Sequence, residues 1–293
     1  MNGVLGINKP KGFTSFDVVA KLRGILQIKK IGHAGTLDPM ATGVLPILIG
    51  KAVKLCDLIP DEYKEYLATF RFGITTDTFD ITGKVLSQVD SSVTPESLTT
   101  CLVKYMGEFL QKVPAYSAVK VDGRKLYDLA RRGEQVKRPS RVVTITKLEI
   151  MDYNFEKQEG LLLVGCSKGT YLRSLVSDIG QDLGCGATLT ELVRTQSCGI
   201  KLEQTFSLND AEEMMKADQL SRQLIPMERF FCDFDEVRLT CDDTRKFCSG
   251  AKLPLLTEPK TELLRIHGLD GSFLGLGRPD SVQKVIKIHK LLI

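Results

Sequence analysis

A single aspartate stands at the centre of a glycine-rich stretch near the start of this 293-residue chain. Asp38 lies between Leu37 and Pro39, and residues 31–43 around it contain three glycines and one proline. Glycine lets the backbone approach a ligand closely, and a carboxylate there can act as a nucleophile or a general base. Because Asp-Pro pairs often cap turns, the loop alone favours a structural role for Asp38. By the same reasoning, His33 alone indicates a structural hydrogen-bonding residue.

Other patterns that carry chemistry fail in this sequence. A phosphate-loop motif fails at residues 45–52, where Leu45 and Ala52 replace the required glycine and Ser or Thr. A dinucleotide fingerprint fails after Gly184, because Leu189 stands where its third glycine would be. The three histidines are far apart in the sequence and no H-E-x-x-H motif exists. We therefore expect no catalytic metal.

Positive charge is concentrated in residues 112–141. Nine Lys and Arg residues stand there against three acids, a local net charge of +6 that exceeds the +4 of the whole chain. Such a segment attracts phosphates and speeds encounter with RNA. A solvated helical face would show the same charge pattern, so both interpretations stay open at this point.

The hydrophobic pattern indicates the elements that must position these residues. Residues 4–7 predict a short strand, and a helix is predicted from Thr14 or Ser15 to about residue 27. Residues 31–43 are predicted to form a loop, and residues 44–49 a buried strand. The Asp38 loop would then connect a helix to a strand in the core.

Strands and helices alternate further along the chain. We predict strands at 66–72, 142–153 and 161–167, a polar loop at 75–83, and helices at 95–106, 125–132 and 171–183. This alternation indicates an α+β architecture with a mixed sheet. After a helical connection at 203–229, short apolar runs separated by Gly and Asp turns predict a small β-rich module from about residue 234.

Composition is that of an ordinary globular chain, with 43% hydrophobic and 26% charged residues. No apolar run reaches the roughly 18 residues that a membrane span needs, and no signal peptide is recognised. The eight cysteines form no C-x-x-C pair, which is typical of reduced thiols. We therefore expect a cytoplasmic protein without a membrane association, and a monomer without an implied protein partner.

A series of motifs then resembles one known family, in the family's order. Residues 32–43, GHAGTLDPMATG, resemble the G-H-x-G-x-L-D-P-x-A-x-G signature of the bacterial tRNA pseudouridine-55 synthases, the TruB type. The other matches, which together span most of residues 1–200, are NKPKGFTS at 8–15, KEY at 64–66, TDTFD at 76–80, PAYSAVK at 114–120, GRKLY at 123–127, SKGTYLR at 167–173, LGCGA at 183–187 and LVR at 192–194.

The resemblance implies a fold and a reaction. It implies a pseudouridine synthase fold with a mixed, largely antiparallel sheet, a thumb insertion at about 112–141, a catalytic domain at 1–233 and a PUA-like RNA-binding module at 234–293. It implies isomerisation of uridine 55 in the T-arm loop of tRNA, with the base flipped out of its stack. No cofactor is required. Asp38 would be the essential carboxylate, acting by covalent attack on the uridine or by proton abstraction.

The resemblance also implies roles for the residues around Asp38. Tyr66 would stack on the flipped uracil, and Arg173 would pair with Asp38 and keep it ionised. Tyr171 and Leu192 would line the uracil pocket. His33 would fill the space left by the base, and Asp80 would hydrogen-bond the RNA beside the pocket. The candidate phosphate contacts are Lys120, Arg124, Lys125, Arg131 and Arg132.

Three other functions fit parts of the same pattern. One is a non-catalytic RNA-binding protein that keeps the basic segment and the C-terminal module. Another is a base-excising glycosylase, which also uses an aspartate and a flipped base. The third is the same isomerisation on another RNA. Asp38, Tyr66 and Arg173 together argue against the first.

Overall fold

The computed structural model describes residues 1–60, 63–117, 119–121, 123–132 and 138–292. Five side chains inside its helices and strands also lie outside that description: Lys120, Lys125, Asp128, Ala130 and Arg131. The chain begins with strand β1 (Gly3–Lys9) and helix α1 (Ser15–Leu26). The twelve strands that follow, β2 to β13, are Ile31–His33, Thr42–Ile49, Lys64–Phe72, Ile74–Thr76, Val85–Gln88, Gly107–Lys112, Lys120–Val121, Arg124–Lys125, Ser140–Asn154, Glu159–Cys166, Ala187–Ser197 and Ile200–Lys201.

Helix α1 begins where the sequence predicts it. The Thr14 hydroxyl accepts a hydrogen bond from Asp17 N at 3.1 Å, and the Asp17 carboxylate accepts one from Thr14 N at 2.8 Å. This reciprocal capping box satisfies two backbone donors that a helix start leaves without partners. Four apolar residues spaced for one helix face are buried: Val18, Val19, Leu22 and Leu26.

Nine strands of the described chain form one mixed sheet. Its path runs β1-β3-β12-β4-β11-β10-β7, with β2 paired to β3 and β13 paired to β12. The pairing of β12 with β3 is parallel and the others are antiparallel. The α+β fold with a mixed, largely antiparallel sheet is therefore confirmed. Two small hairpins stand apart from this sheet, β5 with β6 and β8 with β9.

The remaining helices are α2 (Pro95–Val103), α3 (Leu126–Arg131), α4 (Leu172–Asp182), α5 (Leu208–Lys216) and α6 (Cys241–Cys248). The 3-10 helices span Gly50–Leu55, Leu202–Gln204, Leu220–Gln223 and Met227–Phe231. Helices α2 and α4 pack on the middle of the large sheet, and α1 packs with α5 beside β1 and β3. The Asp38 loop before β3 joins the first of these two cores.

Several predicted boundaries differ from the structure by two or three residues. Helix α2 ends at Val103, because the chain turns into β7 through Gly107, whose φ of 84° is left-handed. The predicted loop at 31–43 contains β2 at its start, since Ile31–His33 pairs with β3. The predicted polar loop at 75–83 likewise starts within β5 (Ile74–Thr76). In the last two cases pairing with a distant strand overrides a polar or glycine-rich local sequence.

The C-terminal module, residues 234–293, is β-rich as predicted. Its strands are β14 (Asp235–Arg238), β15 (Leu253–Pro254), β16 (Leu264–His267), β17 (Phe273–Asp280) and β18 (Val285–Leu291). Within the described residues they form a five-stranded sheet in the order β14-β16-β17-β18-β15, with α6 packed on β15. Leu276 and Leu292 of this module share a hydrophobic core with Val4 and Leu48 of the large sheet. None of the described helices is both long and apolar enough to cross a membrane.

Candidate active site

The Asp38 loop is held by the segment that connects β1 to α1. Leu37 N donates to the Ser15 hydroxyl at 2.9 Å, and Gly12 N donates to Pro39 O at 2.8 Å. The Leu37 side chain is buried in the core, whereas the Asp38 side chain is 37% exposed. The two N-terminal motifs of the sequence therefore meet, and their contact presents a carboxylate at the surface of a fixed loop.

A fully buried lysine lies beneath this loop. Lys9 Nζ donates to Phe13 O at 2.6 Å, to Pro10 O at 3.0 Å and to Pro39 O at 3.3 Å. Burial lowers the pKa of Lys9 to about 8, although the nearby Asp38 carboxylate acts in the opposite direction. The lysine thus fixes the backbone on both sides of the connection and places a positive charge near Asp38.

A buried arginine fixes the two ends of the same loop. Arg194 Nε donates to Val44 O at 2.7 Å, and its second terminal nitrogen donates to Gly35 O at 2.9 Å. Gly43 has a φ of 100°, and a side chain there would collide with the backbone carbonyl of Arg194. Glycine is therefore required at 43 for β3 to lie against β12 at this point.

Arg173 links three segments to the exposed carboxylate. Its side chain is 5% exposed, and its Nε lies 2.8 Å from Asp38 Oδ2. The Nε–H is not aligned for a hydrogen bond, so this contact is an ion pair. The two terminal nitrogens donate to Thr78 O at 3.0 Å and to Tyr116 O at 3.1 Å, and one lies 3.6 Å from Asp80. The guanidinium is thereby fixed in orientation while its Nε faces Asp38.

The second carboxylate of this cluster is satisfied within its own loop. Asp80 is buried, and its carboxylate accepts hydrogen bonds from Thr82 N at 3.0 Å, from the Thr82 hydroxyl at 2.5 Å and from the Thr78 hydroxyl at 2.9 Å. The Thr76 hydroxyl also donates to Asp80 O at 2.8 Å. The structure brings Asp80 to Arg173, and its predicted contact with RNA stays a prediction.

Three residues predicted to form the uracil pocket lie around this cluster in the fold. Tyr66 on β4 and Leu192 on β12 are both buried, and they share one core with Leu37 of the Asp38 loop. Tyr171 is half-buried and immediately precedes helix α4, which carries Arg173 as its second residue. Strands β4 and β12 and the start of α4 therefore converge on the Asp38 loop.

Family models cover this convergence of motifs. The model of the TruB family pseudouridylate synthase N-terminal domain matches residues 23–172, just over half of the chain. The chain belongs to the TruB family of pseudouridylate synthases. A second model, the tRNA pseudouridylate synthase B C-terminal domain, matches residues 173–231. The TruB-family chain is accordingly an enzyme of the isomerase class.

Similar proteins agree with this assignment over the full length. A tRNA pseudouridine synthase B of Clostridium tetani is 41% identical over 298 residues, which covers 100% of both chains. One of Gloeothece citriformis is 41% identical and covers 94% of this chain and 91% of its own. A chain in a solved Cbf5-Nop10-Gar1 complex has a TM-score of 0.75 and 26% identity, over 99% of this chain and 85% of that one. These relatives share the TruB-type fold.

His33 is the last residue of β2, where it pairs with Ile47 of β3. Burial lowers the pKa of His33, and the positive charge of Arg194 lowers it further, so the neutral imidazole is favoured. Its Nδ1 is buried without a hydrogen-bond partner among the described residues. The role of His33 toward RNA stays a prediction.

The thumb segment, residues 112–141, carries the predicted phosphate contacts. Arg124 and Arg132 are exposed on the described part of this segment. The side chains of Lys120, Lys125 and Arg131 lie outside the described residues. Contact with RNA therefore stays a prediction for all five residues.

One other cluster of ionisable residues could hold a metal ion by distance alone. Ligand atoms of Glu228, Glu236 and His267 all lie within 4.8 Å of one another in the described chain. None of these three residues belongs to the predicted site. Arg238 contacts Glu236 in this cluster, and Arg265 contacts Glu228.

Sequence reasoning assigned no role to the residues that support the site. Lys9 and Arg194 belong to motifs that match the family, but the sequence indicates no role for either. Gln111 belongs to none of these motifs. The available signal for Lys9 is its position two residues after the apolar run 4–7, because a charged residue at the end of a buried strand needs partners. Gln111 carries no comparable signal in a strand that is mostly exposed.

Proposed function

We propose that this TruB-family enzyme isomerises uridine 55 in the T-arm loop of tRNA to pseudouridine, with Asp38 as the essential carboxylate. The observation that carries the proposal is the partly exposed Asp38 carboxylate 2.8 Å from the buried Arg173, in a loop with the family signature. The relatives named tRNA pseudouridine synthase B support tRNA as the substrate.

The proposed reaction exchanges one glycosidic bond for another. The bond between N1 and C1′ of uridine breaks, the detached base rotates, and C5 bonds to C1′. C5 loses its proton and N1 gains one, so no oxidant, reductant or energy source is consumed. Asp38 either attacks the uridine covalently or removes a proton, and both routes need an ionised and oriented carboxylate. The Arg173 ion pair supplies that charge and orientation.

The target base must leave its stack to reach Asp38. We propose that Tyr66 stacks on the flipped uracil, where an aromatic face contributes about 1–3 kcal/mol per base. Tyr171 and Leu192 line the pocket, His33 fills the space that the base vacates, and Asp80 lies beside the RNA. The cations of the thumb segment bind phosphates. We also propose that residues 1–233 are the catalytic domain and that residues 234–293 are a PUA-like RNA-binding module.

The experiment uses tRNA labelled with tritium at C5 of uridine, because isomerisation releases that tritium to water. Asp38→Asn should reduce single-turnover release by at least about 10⁴-fold, since the amide neither attacks nor removes a proton. The dissociation constant for tRNA should stay within threefold. Retained turnover of Asp38→Asn would refute the assignment of the carboxylate.

A matched substrate tests the position. A transcript with cytidine in place of uridine 55 should release no tritium, and a modification map of the wild-type product should show pseudouridine at position 55 alone. Tritium release from the cytidine transcript would instead indicate another uridine or another RNA. Free uracil with an abasic product would indicate a glycosylase.

A further inference from the structure

The two strands that carry the thumb segment end beside the turn that opens helix α4. Strands β7 and β10 pair antiparallel, with Ser140 opposite Lys112 and Arg141 opposite Gln111. Residues directly opposite in an antiparallel pair place their side chains on the same face of the sheet. The Gln111 and Arg141 side chains therefore lie next to each other at the base of the thumb segment.

The Gln111 side chain forms hydrogen bonds with both backbone polar groups of Tyr171. Its side-chain Nε2 donates to Tyr171 O at 3.1 Å, and its Oε1 accepts from Tyr171 N at 2.8 Å. The glutamine is 1% exposed, so neither bond competes with water. Tyr171 occupies the N-cap position of α4 and makes no capping bond with its own side chain. The start of α4 is thus fixed from β7.

Arg141 covers the side chain of the same residue. Its guanidinium carbon lies 5.5 Å from the centre of the Tyr171 ring, a cation–π distance. Gly169 has a φ of 85°, and a Cβ there would lie 2.8 Å from an Arg141 terminal nitrogen. The guanidinium therefore packs closely on the turn before α4. Both the backbone and the ring of Tyr171 are held by the strand pair that carries the thumb segment.

Arg173 follows Tyr171 by two residues in the first turn of α4. Its contact with Asp38 depends on where that turn lies, and Tyr116 O of the thumb segment accepts one of its hydrogen bonds. We propose that Gln111 is a positioning residue for the isomerisation: with Arg141, it holds residue 171 and thereby sets Arg173 against Asp38. The inference rests on the function proposed for Asp38. It makes the rate of the chemical step depend on the strands at the base of the thumb segment.

The test is Gln111→Met, measured by single-turnover tritium release and by the dissociation constant for tRNA. A small displacement of a catalytic group can cost about 100-fold in rate, so we expect a 10- to 100-fold lower rate. Affinity for tRNA should stay within threefold, because Gln111 is buried and away from solvent. This separation of rate from affinity is what a positioning role requires.

The matched control is Gln158→Met. Gln158 is also a buried glutamine whose side chain bonds backbone on both sides, since its Oε1 accepts from Val93 N at 2.8 Å and its Nε2 donates to Phe155 O at 2.5 Å. Val93 and Phe155 are not among the residues predicted for the site. Gln158→Met should lower the unfolding midpoint as Gln111→Met does, with a rate within threefold of wild type. Equal rates for the two variants would overturn the inference.

Adding Gln111→Met to an Arg173→Lys variant tests whether Gln111 affects the rate through Arg173 or through a general loss of order. In Arg173→Lys the fork of the guanidinium is already lost, so adding Gln111→Met should lower the rate less than threefold further. A full 10- to 100-fold additional loss would overturn the inference. If Gln111→Met does not fold, Gln111→Glu replaces it, because its carboxylate keeps the bond from Tyr171 N and puts an acceptor against Tyr171 O in place of the donor. A dead Asp38→Asn with unaffected Gln111 variants refutes this inference alone, whereas an active Asp38→Asn refutes the proposed function.

Discussion

Two arginines of this chain each lie between two carboxylates, and the two clusters use the same charges differently. Arg173 in the candidate active site is buried, and it contacts Asp38 and Asp80. Its terminal nitrogens donate to backbone carbonyls, and the loop of Asp80 already satisfies that carboxylate. Asp38 alone remains partly exposed, with one oxygen held by the arginine. Arg173 therefore orients the Asp38 carboxylate and leaves part of it accessible.

In the cluster around Arg265, the carboxylates of Glu228 and Glu236 are also partly exposed, but each has more partners than Asp38. Arg265 lies 2.7 Å from Glu228 and 3.7 Å from Glu236. His267 lies between the same two carboxylates, with its Nε2 3.0 Å from Glu228 Oε1 and its Nδ1 3.3 Å from Glu236 Oε1. Arg238 Nε lies 2.7 Å from that Glu236 oxygen. Each carboxylate therefore meets at least two nitrogen-bearing side chains.

The two clusters differ in how many nitrogen-bearing side chains contact each carboxylate. Guanidinium groups already contact Glu228 and Glu236, so a metal ion would have to displace them despite suitable distances. The cluster ties the 3-10 helix Met227–Phe231 to strands β14 and β16, which is a structural role. An arginine between two acids therefore favours chemistry where one acid has that arginine as its main partner, as Asp38 does.

Within this comparison of the two clusters, the largest expected effect comes from removing Arg173. Arg173→Met should lower single-turnover release by about 10³-fold, roughly 4 kcal/mol, because Asp38 loses both its countercharge and its orientation. Arg265→Met should leave that rate within threefold and lower the free energy of unfolding by about 1–3 kcal/mol, since it leaves partly buried acids less compensated. Rate assays and urea unfolding of both variants test the comparison. A large rate loss in Arg265→Met would show that the C-terminal cluster is not merely structural.

The sequence predicted those parts of the fold and site that local chemistry decides. Helix α1 was located correctly because its capping box and its apolar face lie within thirteen residues of each other. The end of α2 was wrong because the turn into β7 depends on the sheet. Asp38 was recognisable by its loop, yet the loop composition alone favoured a turn cap.

The proximity of Arg173 to Asp38 depends on tertiary structure. No periodicity relates two residues so far apart, and only the resemblance to a family predicted their pairing, which the structure places at 2.8 Å. Gln111 stayed unrecognised for a related reason. Its partner is the backbone of Tyr171, and a hydrogen bond to backbone leaves no residue type in the sequence to signal it.

A second prediction concerns Lys9, the buried cation beneath the Asp38 loop. In the folded chain the pKa of Lys9 is lowered to about 8, from about 10.5 when unfolded. Between these values the unfolded chain binds more protons, so the contribution of Lys9 to stability rises with pH across this window. The free energy of unfolding of wild type minus that of Lys9→Met should therefore rise by up to about 3 kcal/mol from pH 8 to 10.5.

Lys11 provides the control for that measurement. It lies two residues further on, and its side chain is largely exposed, with a 3.4 Å ion pair to Glu191. The same difference between wild type and Lys11→Met should stay flat over this pH range, because exposed ion pairs contribute little. A flat difference for Lys9→Met as well would mean that its three carbonyl contacts fully offset burial.

The smallest expected effect is at His267, where the C-terminal cluster is most enclosed. His267→Gln keeps a polar side chain between Glu228 and Glu236 but removes one of the two ring nitrogens that face them, so we expect a loss of about 1 kcal/mol in the free energy of unfolding. The rate of tritium release should not change.

Adding a metal chelator should leave the wild-type unfolding midpoint where it is, because the arginines occupy the carboxylates. A midpoint that falls with chelator and is restored by zinc would mean that these acids bind a metal ion after all, and that their contact with guanidinium groups does not distinguish a structural cluster from a ligand site.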